Sequence, residues 1–459
     1  MAERTVNWRG AGNLVTRGDP AYESAWAAQL FNELKPSRHP DVIVRATSEA
    51  DVQEAVWLAR SHGLRIAVRS GGHSWCGSPL RDGGMLIDLS GLRRCEIDPG
   101  SLTASVQPAV TGRELAARLA PYGLSFPGGH CGTVALGGYL LSGGLGWNST
   151  ALGPACASVT GIEAVTTDGD VVRCDERRNP DLFWAARGAG PGFFAVVTRF
   201  RLTLHPLPPA VAGLTYAFPL DDVDLVTRWV TEAAVRLPPT VETSLMLGTA
   251  APHMVRGGSR PKAVTVTGTA FAISPDQALR ALAPLRDCPF AGRALYRGPA
   301  EPTSVEELYE TSATLWPTAH RNAVDTLWSD AGYPALLTRL AGAVAAAPSD
   351  KSLVLAPLSP AGRDRTLSRD MAFSALGASY LAAFSIWDDP AQDTAGVQWL
   401  RRTMTAVEPL GTGHYIAEAD LTAAPNRAER SYTPQVWDRL RALRVRYDPE
   451  GVFHTYLTA

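Results

Sequence analysis

The segment FPGGHCGTVALGGYLLSGGLGW, residues 126–147, places glycines at an unusual density inside an otherwise apolar stretch. Glycine lets the backbone turn sharply and approach another surface closely. A run of this kind indicates that the backbone itself lies against something large and flat, or that it packs unusually tightly. Cys131 sits in the middle of the run.

A second glycine-bearing segment, RSGGHSWCGSPL at residues 69–80, follows the apolar residues 66–68 and places His73 directly after two glycines. A loop of small residues after a strand presents backbone N–H groups that can bind a phosphate. Taken alone, the segment leaves four roles open for His73: a metal ligand, a base, a point of covalent attachment or a residue of a tight turn.

Several chemistries compete for these segments. A zinc site from His73, Cys76, His130 and Cys131 lacks the paired spacing of structural zinc sites, so we predict no metal. The motif of serine hydrolases, G-x-S-x-G, is broken at Cys76. Neither GGLGWN nor GAGPGF supplies the G-x-G-x-x-G of nicotinamide enzymes. Each segment alone favours a tight turn and a buried, inert cysteine.

Together the two segments favour a different answer. A long glycine-rich run admits a planar ring, and His73 and Cys131 are nucleophiles able to bond to such a ring, one from each segment. The cofactor that fits this combination is a flavin dinucleotide.

The size and composition of the chain limit the remaining possibilities. Its 459 residues exceed one ordinary core, which predicts two domains or one large interleaved domain. A net charge of −2 without runs of like charge argues against nucleic-acid binding. We find no apolar run of membrane-spanning length and no signal peptide, and expect a cytoplasmic protein without a membrane partner. Six cysteines do not make a disulfide framework in so long a chain.

Local patterns predict a partly parallel sheet early in the chain. Residues 41–46 and 65–69 read as strands around a helix that begins at a capping box of Ser48 and Asp51. Asp168 and Gly169 predict a hairpin turn. The proline-rich residues 205–210 mark a boundary. Beyond it we predict strands at 264–272 and 372–386 and helices around 222–236, 275–285, 332–346 and 434–446.

Six segments, taken in order, are similar to one known family: RSGGHS (69–74), GGHCGTVALGGYLLSGGLGW (128–147), TTDGDVV (166–172), DLFWAARGAG (181–190), VVTRFRLTLHP (196–206) and RLRALRVRYDPEGVF (439–453). They resemble the berberine-bridge-enzyme-like flavoproteins of the vanillyl-alcohol-oxidase and p-cresol-methylhydroxylase superfamily. The high Ala, Arg and Pro content suggests a bacterial member from a GC-rich source.

The resemblance implies an α+β, bilobal fold. One lobe, of the p-cresol-methylhydroxylase type, binds FAD and is formed by both chain ends, residues 1–206 and 426–459. The other lobe, residues 207–425, is a substrate domain built on an antiparallel sheet with helices behind it.

The resemblance also implies that FAD is covalently attached through His73 to its 8α-methyl group and through Cys131 to its C6. We expect backbone amides and His130 to lower the pKa of the Cys131 thiol. The matching motifs carry the other cofactor-binding candidates, which are Arg69, Ser70, Gly71, Gly72, Ser74, Gly128, Val134, Gly137, Gly138, Gly143, Gly144 and Val196.

Catalytic candidates come partly from departures from the family pattern. Tyr139 replaces a histidine that is common near the ring, and Glu418 stands where the family often has a tyrosine base. Glu418 is either a base whose pKa is raised by burial or a solvated strand carboxylate. His320 either lines the substrate pocket or lies on a surface helix. The alternate residues of the segment 242–246, or those of the segment 380–384, form a strand face that must meet the flavin.

The function that follows is an FAD-dependent oxidase of a small molecule, with a secondary metabolite favoured as substrate and O₂ as electron acceptor. The resemblance implies that a small side chain three residues after Cys131 leaves room for O₂ beside the ring, and Val134 is such a side chain. The alternatives are a dehydrogenase or a sugar oxidase of the same family, or a flavoprotein that sequesters a small molecule without turnover.

Overall fold

The computed structural model describes residues 14–255 and 258–457. The first part of the chain builds three small sheets and six helices. Its strands are β1 (Leu14–Thr16), β2 (Val42–Arg45), β3 (Ile66–Arg69), β4 (Met85–Asp88), β5 (Cys95–Asp98), β6 (Thr103–Val106), β7 (Leu124–Ser125), β8 (Val159–Val165), β9 (Val171–Cys174), β10 (Val196–Thr203) and β11 (His205–Pro206). Its helices are α1 (Tyr22–Ala27), α2 (Glu49–Ser61), α3 (Gly112–Leu119), α4 (Leu136–Leu141), α5 (Ser149–Leu152) and α6 (Pro180–Ala186).

A four-stranded sheet in the order β1-β2-β4-β3 carries the loop of His73 at the end of β3. Strands β2 and β3 both run parallel to β4, which lies between them, so the predicted partly parallel sheet is confirmed. Helix α2 begins as predicted, because Ser48 Oγ accepts the Asp51 N–H while the Asp51 carboxylate accepts the Ser48 N–H. Its buried alanines and valines pack in the core of this sheet.

A five-stranded antiparallel sheet in the order β5-β6-β10-β8-β9 lies next in the chain. The hairpin predicted at Asp168 and Gly169 is confirmed, since it joins the paired strands β8 and β9. A two-stranded sheet of β7 and β11 ends this part of the chain, and β11 already contains Pro206 of the proline-rich segment.

The second part of the chain builds one large sheet and the remaining helices. Its strands are β12 (Ala210–Pro219), β13 (Val241–Thr249), β14 (Lys262–Ala272), β15 (Tyr296–Arg297), β16 (Glu301–Thr303), β17 (Arg321–Ser329), β18 (Leu353–Pro357), β19 (Ser379–Trp387) and β20 (Gly411–Gly413). Its helices are α7 (Val223–Ala234), α8 (Pro275–Ala281), α9 (Ala283–Arg286), α10 (Val305–Leu315), α11 (Tyr333–Ala345), α12 (Asp393–Val407) and α13 (Pro434–Tyr447).

The large sheet has the order β15-β12-β14-β13-β18-β19-β17-β20, with β16 also paired to β12, and its strand pairs are antiparallel. Helices α7, α11 and α12 pack against one face through a core that includes Leu245, Leu327 and Leu381. The alternate residues of the same strands form the other face. The predicted antiparallel sheet with helices behind it is therefore confirmed.

Two element predictions in this part were wrong. The strand predicted at 372–386 begins only at Ser379, because the backbone N–H groups of Ala372 and Phe373 donate instead to the carbonyls of Trp184 in α6 and of Arg187 just after it. The surface helix considered for the segment of His320 is β17, the central partner of β19 and β20.

The end of the chain returns to the first sheet. After α13, the Ile66 N–H donates to the Val452 carbonyl over 2.7 Å, and the His454 N–H donates to the Ile66 carbonyl over 2.8 Å. Phe453 is buried in the core of the four-stranded sheet. Both chain ends thus contribute to one lobe, as the resemblance implied. The domain limits at 206 and 425 remain a prediction.

Candidate active site

A cavity of about 740 Å³ is lined by residues of both lobes and receives the two glycine-bearing segments. The predicted cofactor-binding residues that line it are Arg69, Ser70, Gly71, Gly72, His73, Ser74, Cys131, Val134, Gly137 and Gly138. Segments that lie far apart in the sequence therefore meet at one surface.

The loop after β3 holds His73 in a defined orientation. Gly72 has a φ of +75°, and a Cβ at Gly71 would lie 2.5 Å from the Cβ of Ala135, so both positions require glycine. His73 Nε2 lies 3.0 Å from the Thr133 hydroxyl, and Phe31 stacks on the imidazole at 4.3 Å. Burial, with Arg69 in second place, lowers the pKa of His73 to about 4. The imidazole is therefore neutral near pH 7, which is the nucleophilic form.

Cys131 faces the same cavity, but its electrostatic surroundings differ from the expectation. Burial, and in second place the Glu418 carboxylate, raise the pKa of the thiol to about 12. The expected lowering was therefore wrong. His130 does not activate the thiol: its ring packs edge-on against Trp147, and its Nε2 lies 3.7 Å from Glu242 Oε2.

The glycine-rich run has two distinct roles. Gly137 and Gly138 lie on the cavity wall, where the Gly138 N–H donates to Ser70 Oγ. Gly143 and Gly144 lie outside the wall. A Cβ at Gly143 would lie 2.3 Å from the Phe373 ring. The second pair of glycines therefore allows close packing. Neither glycine of this pair contacts the cavity, which corrects their prediction as cofactor-binding residues.

Gly128 and Val196 are also absent from the cavity wall. The Gly128 carbonyl accepts the Trp147 N–H over 2.9 Å, which holds the run in shape. Val196 is buried in the core of the four-stranded sheet, while its neighbours Ala195 and Val197 line the cavity. The alternation of side chains along β10 explains why the prediction was displaced by one residue.

Glu418 lies on a turn after β20 and faces the cavity. Its Oε2 accepts the hydroxyl of Tyr380 over 2.9 Å. Burial raises the pKa of Glu418, while the hydrogen bond from Tyr380, the nearby His130 and a hydrogen bond from Trp75 limit that rise. The carboxylate thus lies on a turn rather than on a strand, and hydrogen bonds hold it at the cavity wall.

A buried ion network lies under the turn that carries Glu418. It consists of Asp325, His414 and Arg427, with Asp325 Oδ2 2.5 Å from the Arg427 guanidinium. Asp325 Oδ1 accepts the Asp420 N–H over 3.1 Å, two residues beyond Glu418. The network therefore fixes the backbone of the turn from behind.

Tyr139 contacts the cavity through its ring, and its hydroxyl donates to the Pro127 carbonyl over 2.8 Å. The ring also fills the space that a Cβ at Gly144 would occupy, and the hydroxyl lies where a Cβ at Gly146 would be. Burial raises the pKa of Tyr139 well above its ordinary value of 10. These contacts give Tyr139 a packing role.

The position of His320 corrects the sequence analysis. It lies just before β17, outside the cavity wall, where its Nε2 is 2.8 Å from Asp388 Oδ1 and 2.6 Å from Lys351 Nζ. The strand β17 pairs with β20, which precedes the turn of Glu418, only at its opposite end, at Trp328 and Ser329. His320 therefore belongs to a surface charge cluster and is withdrawn as a catalytic candidate.

The sequence analysis missed several residues that contact His73 or line the cavity. Phe31 and Thr133, which orient His73, carry no local signal of that role. Helix α10 was also missed, although Ser304 and Glu307 form a capping box, which is a sequence signal for the start of a helix. The cavity-facing residues of α10 recur at helical spacing, at Leu308, Thr311, Ser312 and Leu315.

Residues 14–255 and 258–457 contain no group of three or more His, Cys, Asp or Glu side chains that could hold a metal ion. In the same ranges no helix has the length and apolar character needed to cross a bilayer.

Comparison with known proteins identifies the family. A family model described as an FAD binding domain matches residues 40–175. The chain is 31% identical over 453 residues to the FAD-linked oxidoreductase janO of Penicillium janthinellum, covering 98% of this chain and 97% of that protein. The chain is an FAD-linked oxidoreductase. The cavity residues of this oxidoreductase fit the cofactor, since a glycine cradle and a neutral histidine face one large space.

Two further similarities place the oxidoreductase more broadly. It is 28% identical over 465 residues to the (R)-6-hydroxynicotine oxidase of Paenarthrobacter nicotinovorans, covering 96% of this chain and 97% of that protein. The crystal structure of 6-hydroxy-D-nicotine oxidase from Arthrobacter nicotinovorans superposes with a TM-score of 0.83 at 24% identity, covering all of both chains. Relatives thus occur in fungi and bacteria, and a bacterial origin for this oxidoreductase finds no support in them.

Proposed function

We propose that this oxidoreductase is an oxidase that acts on a small organic molecule, such as a secondary metabolite, with a covalently attached FAD and O₂ as electron acceptor. The observation that carries the proposal is the meeting of His73, Cys131 and Glu418 at one cavity. They bring two nucleophiles and one base from three distant segments. Relatives named as oxidases support the reaction class.

The residues divide between holding the cofactor and acting on the substrate. FAD, when bound, supplies the redox chemistry by accepting a hydride equivalent from the substrate and passing two electrons to O₂, which leaves as hydrogen peroxide. The loop after β3 and the wall at Gly137 and Gly138 would hold it. Glu418 would take the proton that the substrate loses.

His73 is the better supported of the two attachment points, because its imidazole is neutral and oriented by Thr133. The Cys131 thiol must first lose a proton that burial holds on sulfur. We therefore expect Cys131→Ala to retain flavin through acid precipitation, and His73→Ala to retain less.

The test is the mass of the denatured protein and its visible absorbance after precipitation. Cys76→Ala is a matched control, because Cys76 lies three residues after His73 but outside the cavity wall. Complete release of flavin from the unsubstituted protein on acid precipitation would refute covalent attachment while leaving FAD binding intact.

Glu418 is proposed as the general base, and its test is anaerobic reduction of the flavin by substrate in a stopped-flow instrument. Glu418→Gln keeps the shape and the hydrogen bond from Tyr380 but removes the proton acceptor. We expect reduction to slow by about a hundredfold or more. An unchanged rate of flavin reduction would mean that Glu418 has only a structural role.

The alternatives are separated by turnover in air. A dehydrogenase would reduce an artificial acceptor but release no peroxide, and a sugar oxidase would release peroxide with sugars as substrates. A protein that only sequesters its ligand would bind it without flavin reduction. Oxygen consumption across a panel of alcohols, sugars and amines distinguishes these cases.

A further inference from the structure

The two lobes contribute opposite charges to the cavity wall. Among the described lining residues, the charged side chains from the large-sheet lobe are all carboxylates, and the guanidinium groups come from the other lobe. These carboxylates are Glu242, Glu301, Glu307 and Glu418, and the guanidinium groups are Arg69 and Arg81. The substrate side of the cavity therefore has a negative electrostatic character.

Glu242 is the inner carboxylate with capacity to bind a ligand. It lies on β13, and its side chain is only 14% exposed. Its Oε1 accepts the Ser149 N–H over 3.1 Å. Its Oε2 is 3.7 Å from His130 Nε2, which exceeds hydrogen-bond length. One oxygen is thus held by the protein while the other keeps its acceptor capacity on the cavity wall.

His130 is the basic side chain that faces these inner carboxylates within the described residues. It lies near both Glu242 and Glu418. Even a protonated His130 would balance only one of the two. Carboxylates removed from water are stabilised by a positively charged partner, so the cavity favours a cation over a neutral molecule of equal shape.

The wall beside these carboxylates is aromatic. The Trp316 and Trp75 rings each meet the Phe384 ring edge-on, with centroids 5.5 and 5.6 Å apart. All three line the cavity, together with Tyr380. Such a wall binds flat apolar rings, and aromatic faces also attract cations. Its shape and charge together describe a ligand with a ring system and a positive group.

We propose that the substrate is an aromatic or polycyclic amine, bound as its ammonium ion with the charged nitrogen at Glu242 and the ring against Trp316 and Phe384. This inference rests on the proposed function, because it takes this cavity as the substrate site. Before oxidation the ammonium loses one N–H proton, which forms the O–H bond of a protonated Glu418. The neutral amine that remains can then give up a hydride equivalent from its neighbouring carbon.

The test compares three probes that share one ring system: 2-naphthylmethylamine, 2-naphthylmethanol and 2-naphthoate. Binding to the purified flavin-containing protein is measured without oxygen by calorimetry and by flavin absorbance. We expect the amine to bind at least about tenfold more tightly than the alcohol, the gain typical of a hydrogen bond to a charged group, and the carboxylate to bind most weakly.

Substitution locates the preference. Glu242→Gln keeps the carbonyl that accepts from Ser149 and removes the charge, so it should weaken amine binding by about tenfold and leave alcohol binding unchanged. Glu310→Gln, on α10 but outside the wall, is the matched control and should behave as the unsubstituted protein. Unchanged alcohol binding also reports that the variant is folded.

Two results would overturn the inference. One is alcohol or carboxylate binding as tight as amine binding in the unsubstituted protein, and the other is an unchanged amine preference in Glu242→Gln. Failure of the proposed function would be recognised separately, as absence of flavin or of oxygen consumption. The binding preference is measured whether or not the protein turns a probe over.

Discussion

Replacement of Asp325 by asparagine should change how the stability of this protein depends on pH. Burial raises the pKa of Asp325 from 3.8 to about 6, although Arg427 opposes the rise. A carboxyl group whose pKa is raised by folding favours the folded state when protonated. Its contribution is therefore present at low pH and is lost as the pH rises through about 6.

The magnitude follows from the two pKa values. Between about pH 4.5 and about pH 7.5, a shift from 3.8 to about 6 removes about 2 kcal/mol of folding free energy. Asparagine does not titrate, and its carbonyl can still accept from Asp420. The attraction of Arg427 acts on the ionised carboxylate and already opposes the rise of the Asp325 pKa, so it is part of the same pH-dependent difference.

The assay is urea unfolding followed by circular dichroism at several pH values. Relative to the unsubstituted protein, Asp325→Asn should gain about 2 kcal/mol between the acidic and the alkaline end of that range. His414→Asn should show the opposite trend, because burial and Arg427 lower the pKa of His414 to about 4 and its contribution is lost as the pH falls. Parallel stability curves for Asp325→Asn and the unsubstituted protein would refute the reasoning.

Three further changes have defined outcomes. Val134→Leu should slow reoxidation of the reduced flavin by O₂ about tenfold in stopped-flow measurements, equivalent to about 1.4 kcal/mol of barrier, and leave the rate of flavin reduction by substrate nearly unchanged. Equal reoxidation rates in the variant and the unsubstituted protein would contradict this. Deletion of residues 440–459 removes buried Phe453 and should abolish flavin incorporation, measured by absorbance; normal flavin content would disprove it. Gly188→Ala should lower stability by about 2 kcal/mol or more in urea unfolding, because its φ is 139° and a Cβ would lie 1.9 Å from the Phe373 nitrogen; an unchanged midpoint would contradict it.

The parts of the fold that the sequence predicts are those decided by local contacts. The capping box of Ser48 and Asp51 and the turn of Asp168 and Gly169 each depend on residues a few positions apart. The prediction of a strand from residue 372 failed, because the Ala372 N–H donates to the carbonyl of Trp184 in α6, far away in the sequence. Local propensity carries no information about such a competing partner.

For the candidate site, too, the sequence predicts what motifs carry and misses what distant contacts decide. His73 and Cys131 were placed on one surface by motif resemblance, and both line the cavity. The charge state of Cys131 could not be predicted, because burial and the distant Glu418 set its pKa. The role of Thr133 beside His73 is equally invisible in the sequence, since two loops must fold before the residues meet.

The hydrogen bonds between Ile66 and the chain's last strand-like residues have a consequence for biosynthesis. Residues 452–454 are translated after the whole large-sheet lobe. The sheet that carries the loop of His73 therefore lacks this edge contact until those residues have been made. A flavin that requires the completed lobe can then be captured only after the large-sheet lobe has been translated.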